Sequence, residues 1–139
     1  FLFTVLMSFL FLIVGKNDNP IFRLDSSQRA DTARHLQEFI IHSSLDVIDE
    51  IVWKKSDMYF RSVDRFGDST ISAFITASNV RFVLLHEFKT DDGIKSFFTD
   101  VYELYMKVLL NPFYTPSTDI TSNVFRQRVV ALSKRHLKG

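Results

Sequence analysis

Residues 86–116 constrain this chain more than any other stretch, because they spell a helix together with its start and its stop. Thr90 or Asp91 caps the first turn, and Asp91 with Asp92 places negative charge at the positive end of the helix dipole. Apolar side chains then recur at Ile94, Phe97, Phe98, Val101, Tyr105, Val108 and Leu109, the three-and-four spacing of one buried face. Glu103 and Lys107 form a favourable i,i+4 pair on the opposite side. Asn111-Pro112 ends the helix, since the residue before a proline is pushed out of the α region. At about 1.5 Å per residue, roughly twenty residues make a rod of about 30 Å. The rest of the chain must supply an apolar surface of that length for it to cover.

A chain of 139 residues supports one domain with a core of ordinary size, and a hydrophobic fraction of 46% against 24% charged is that of a globular protein. Fifteen phenylalanines call for an aromatic core, or a core plus an apolar contact surface. The net charge of +1 gives no electrostatic reason to expect nucleic acid or an anionic membrane as the main partner. With no cysteine, disulfides and thiolate metal sites are excluded from this stretch.

Phe1 to Val14 is apolar except for Thr4 and Ser8, yet it is shorter than the roughly 20 residues a membrane helix needs. It also lacks the basic start and small-residue cleavage site of a signal peptide. The expectation is a buried strand over Phe9–Val14, with residues 1–6 as an upstream extension and 7–139 as a single domain. Gly15 to Pro20 reads as a turn and Ile21 to Leu24 as a more exposed second strand, completing a hairpin. Three further strands follow over residues 58–66, 70–77 and 81–86, separated by turns at Gly67-Asp68-Ser69 and Ser78-Asn79. The long helix comes next, and a last helix starts near Ser122 with Val124, Phe125, Val129, Leu132 and Leu137 as its apolar positions. The order β-β-α-β-β-β-α-α predicts an α+β fold with helices on both faces of one antiparallel sheet.

The helix ending near Val52 is apolar over about twice the arc that a surface helix needs to cover one sheet. Ile41, Leu45, Ile48 and Val52 lie on that arc, with Asp46 beside them. A partner surface is expected there, with Asp46 meeting a basic or hydrogen-bond-donating group; packing under a loop of the same chain is the competing account. A second contact is expected at Phe113 and Tyr114, held between Pro112 and Pro116. Those two aromatics either present themselves to a partner or close the core at the end of the long helix.

The chemistry of catalysis has no signature here. There is no phosphate-binding loop, four scattered glycines make no dinucleotide site, and no nucleophile-elbow motif occurs. His35 and His42 are seven apart, too far along a helix to share a metal, and Asp46, Asp49 and Glu50 read as a charged helix face. No cofactor, metal or catalytic residue is expected.

Taken together, several residue groups resemble the sedlin family, small subunits of the TRAPP vesicle-tethering complex. These are Val14-Gly15, Asp18-Asn19-Pro20, Leu45-Asp46, Asp49-Glu50, Ser72-Ala73-Phe74, Arg81-Phe82 and Leu85-His86. The densest match is Asp92-Gly93-Ile94-Lys95, Phe97 to Tyr102 and Asn111-Pro112-Phe113-Tyr114. The resemblance implies a longin-like (SNARE-like) fold, a five-stranded antiparallel sheet with one helix on one face and two on the other. It also implies a non-enzymatic adaptor that joins other TRAPP subunits in endoplasmic reticulum to Golgi transport. Such a subunit would be cytoplasmic and peripheral at those membranes through the complex, and tied to a Rab GTPase only through the complex. The alternatives are a stand-alone longin-type regulatory domain binding a SNARE-like peptide or small apolar ligand, and an uncharacterised hydrolase.

Overall fold

The computed structural model describes residues 9–15, 19–25, 39, 42–43, 45–50, 59–66, 69–76, 78–86, 91–116 and 118–137. Five strands form one sheet: β1 (Phe9–Val14), β2 (Pro20–Asp25), β3 (Tyr59–Phe66), β4 (Ser69–Ile75) and β5 (Arg81–His86). Helical residues 45–50 form α1, and α2 (Asp91–Leu109) and α3 (Asn123–His136) follow the sheet. The α+β order is the one the sequence predicts.

Strand order is β2-β1-β5-β4-β3, with every neighbouring pair antiparallel. β1 is an interior strand, paired residue for residue with β5 from Phe9↔His86 to Val14↔Arg81. Burial on both faces explains its unbroken apolar run. The connection from β2 to β3 passes from one edge of the sheet to the other, about 19 Å at the usual strand spacing. α1 belongs to that connection and lies over one face.

Alternation along β1 divides the core in two. Phe9, Phe11 and Ile13 point to the face covered by α2 and α3, where they join Phe82, Phe97, Phe98 and Val101. Leu10, Leu12 and Val14 point to the other face and join Leu45 and Ile48 of α1 with Ile71, Val83 and Leu85. Phe11 is the hub of the first cluster, with ring centroids 5.1 Å from Phe97 and 6.2 Å from each of Phe22, Phe82 and Phe98. Most of these contacts are edge-to-face, a geometry that adds about 0.5–1.5 kcal/mol per pair beyond area burial. This is where the phenylalanine-rich composition is used.

Two local devices hold the sheet's margins. Between β4 and β5, Asn79 takes φ 63°, a left-handed position that asparagine tolerates, while its N–H donates to the Thr76 carbonyl at 2.9 Å. At β2, the Ile21 carbonyl accepts from Ile120 N–H at 2.8 Å and the Arg23 carbonyl from the Arg126 guanidinium at 3.0 Å. The same guanidinium lies 4.9 Å from the centre of the Phe22 ring. The edge of β2 is therefore partly capped by the segment that leads into α3 and by α3 itself.

Candidate functional site

The C-terminal end of α2, the loop 110–121 and the first turns of α3 meet in one place. Leu110 N–H still reaches Met106 O at 3.2 Å, but Asn111 N–H turns to Val108 O at 3.1 Å, tightening the last turn before Pro112. Asn111 then organises the start of the loop. Its side-chain Oδ1 accepts from Phe113 N–H at 3.0 Å and its carbonyl from Tyr114 N–H at 3.1 Å, a side-chain turn that asparagine favours. Thr118 closes the loop onto Thr115, and the Tyr114 hydroxyl donates to Thr118 O at 2.6 Å. Ser122 accepts from Phe125 N–H at 3.3 Å and caps α3.

The two aromatics of this loop divide. Phe113 is 95% exposed, held outward on a backbone with few free torsions, whereas Tyr114 is half-buried against the main core. Between them and the helices lies an open groove of about 360 Å³. Val108, Ile120 and Phe125 give it an apolar lining; Phe113 and the 57% exposed Val124 add large apolar surface at its rim. Lys107 on α2 and Arg128 on α3 bring positive charge, and no carboxylate lines it among the described residues.

The ionisable phenols nearby stay protonated at neutral pH. Burial, and secondarily the neighbouring Tyr114, push the Tyr105 hydroxyl up to about 12. Burial also raises Tyr114, with the Thr118 hydrogen bonds opposing it and Asp119 adding to it. The arrangement is suited to holding a ligand by apolar contact and positive charge. Among the described residues no group of three or more His, Asp or Glu is placed to hold a metal ion, and no helix is long and apolar enough to cross a membrane.

The positions expected on the first helix fall in different places. Leu45 is 5% exposed and Ile48 fully buried, both packed on the chain's own sheet. Asp46 is exposed, and Phe39, from the same sequence segment, is exposed to 69%. Ile41 and Val52 lie outside the described residues. Sequence reasoning misses the groove itself: it makes Lys107 one half of a surface pair and gives no reason to single out Arg128. The hints along the chain are Phe113 and Tyr114, which line the groove, and Val124, an apolar residue two positions after the Ser122 cap and out of phase with Phe125 and Val129.

A family model described as Sedlin matches residues 13–135. The chain belongs to the sedlin family. The probable trafficking protein particle complex subunit 2 of Drosophila melanogaster is 42% identical over 135 residues, covering 94% of this chain and 97% of the relative. The transport protein particle 20 kDa subunit of Schizosaccharomyces pombe is 40% identical over 130 residues, covering 90% and 96%. The trafficking protein particle complex subunit 20 of Saccharomyces cerevisiae is 28% identical, covering 91% and 97%. The five-stranded antiparallel sheet with its three helices among the described residues is consistent with the longin-like domain of sedlin proteins, and it is what places the groove at the α2–α3 end.

Proposed function

We propose that this sedlin-family chain is a non-enzymatic adaptor subunit of a TRAPP complex, acting by burying its own surface against other subunits. The carrying observation is near-full-length similarity, at 40–42% identity, to proteins named as subunits of that particle. The site supports an adaptor because its chief feature is an apolar side chain, Phe113, exposed over an open groove rather than a set of converging acid–base groups. Asp46, exposed on α1, is proposed as a second contact, with Leu45 and Ile48 holding that helix in place beneath it. In this role the protein works in endoplasmic reticulum to Golgi transport, cytoplasmic and peripheral at those membranes, and meets a Rab GTPase only through the assembly. Affinity purification of the tagged chain tests it. TRAPP subunits should elute in fixed stoichiometry, less abundantly with Phe113→Ala or Asp46→Lys, and recovery of no TRAPP subunit with the wild type would remove the proposal.

A further inference from the structure

Resting on the adaptor role proposed above, we infer that the α2–α3 groove receives an extended segment of a partner subunit in which acidic residues stand beside large apolar ones. Charge complementarity is the first ground. The described lining carries two cations, Lys107 and Arg128, and no carboxylate, and neither cation makes an ion pair with another described residue; the pair expected between Glu103 and Lys107 does not form. The first turn of α3 contains no acidic side chain, so nothing in it offsets the positive end of that helix. Asp119 sits on the loop outside the lining, where its negative charge is felt by Tyr114.

Shape is the second ground. Val108, Ile120 and Phe125 form an apolar lining, and the exposed Phe113 and Val124 stand ready to close over an inserted side chain. A groove of about 360 Å³ holds one or two large side chains with their backbone. A lipid surface fits less well: the site is concave, and its lining carries only two cations in a chain of net charge +1. The occupant's apolar side chain enters the lining, and its carboxylates meet Lys107 and Arg128. Burial near Phe125 then strengthens charge pairs that would be weak on an open surface.

The test uses the full chain and two labelled probe peptides, one alternating Glu with Leu and Phe, the other with Gln in place of every Glu. Fluorescence anisotropy should show the Glu peptide binding about tenfold tighter than the Gln peptide at low salt, with the advantage shrinking as salt rises. The double variant Lys107→Glu, Arg128→Glu, with an unchanged melting curve, should lose that preference. Equal binding of the two peptides, no binding of either, or a preference untouched by the charge reversal overturns the inference. So does binding of wild type to phosphatidylserine vesicles in place of the Glu peptide. Purification from cells separates this from the adaptor role. If the wild type recovers no TRAPP subunit, that role fails; if the charge-reversed protein recovers the same subunits in the same yield, the role stands and the groove is not the docking site.

Discussion

Arg81 donates from Nη1 to Asp49 Oδ1 at 3.0 Å, tying an interior strand of the sheet to a helix 32 residues earlier in the chain. Its other terminal nitrogen donates to the Gly15 carbonyl at 3.1 Å, so one guanidinium joins β5, α1 and the end of β1. Arg81 is 1% exposed while the Asp49 side chain is 46% exposed. The pair therefore sits at the boundary between core and solvent, where the carboxylate keeps part of its hydration and the guanidinium does not.

Asp49→Ala is expected to lower stability by about 1–2 kcal/mol, less than a fully buried pair would lose because Asp49 remains partly hydrated. Arg81→Ala should cost more, since it also removes the Gly15 contact and the packing of the arginine stem. Urea unfolding of the two variants and of the double variant measures the coupling. Equal losses for both single variants would contradict the three-way role of Arg81.

Ile48→Ala should destabilise by about 2–5 kcal/mol, because Ile48 is fully buried between α1 and the sheet. Asp46→Lys, on the exposed side of the same helix, should stay within about 0.5 kcal/mol of wild type. Thermal melts would show the contrast directly. A stable Ile48→Ala protein would mean that α1 does not pack as described.

The phenylalanines offer a second contrast. Phe11→Ala removes the hub ring and is expected to cost about 3–5 kcal/mol. Phe113→Ala should leave the melting temperature essentially unchanged, since Phe113 is 95% exposed. Its effect belongs in partner recovery from cells. A stability loss at Phe113 comparable to that at Phe11 would place it in the core.

Tyr105 makes the fold sensitive to alkali. Its hydroxyl is raised to about 12 in the folded chain, against an ordinary value of 10.0, so the unfolded chain ionises first as pH rises. The stability linked to this group is fully present below pH 10.0 and is lost between there and about 12. Tyr105→Phe keeps the ring that meets Phe82 at 5.7 Å and removes the titration. Denaturant midpoints taken across that window should fall less steeply for the variant than for wild type, and parallel curves would show that Tyr105 is not the group responsible.

Strands and helices are legible along the chain because their signals are local. Phe9–Val14 announces burial by its unbroken apolar run, Asn111-Pro112 stops α2, and Ser122 caps α3, each within a few residues of where it acts. The motif blocks from Val14 to Tyr114 carry the family as well. What neighbouring residues could not decide was which part of a broad apolar arc would face inward. Leu45 and Ile48 were assigned to the sheet only when α1 took its rotation over Leu12 and Val83, a choice made by packing across the whole domain. The same holds for Arg81 with Asp49, and for a groove assembled from Lys107, Phe113 and Arg128: charges and rings distant in sequence acquire a common environment only after the chain has folded.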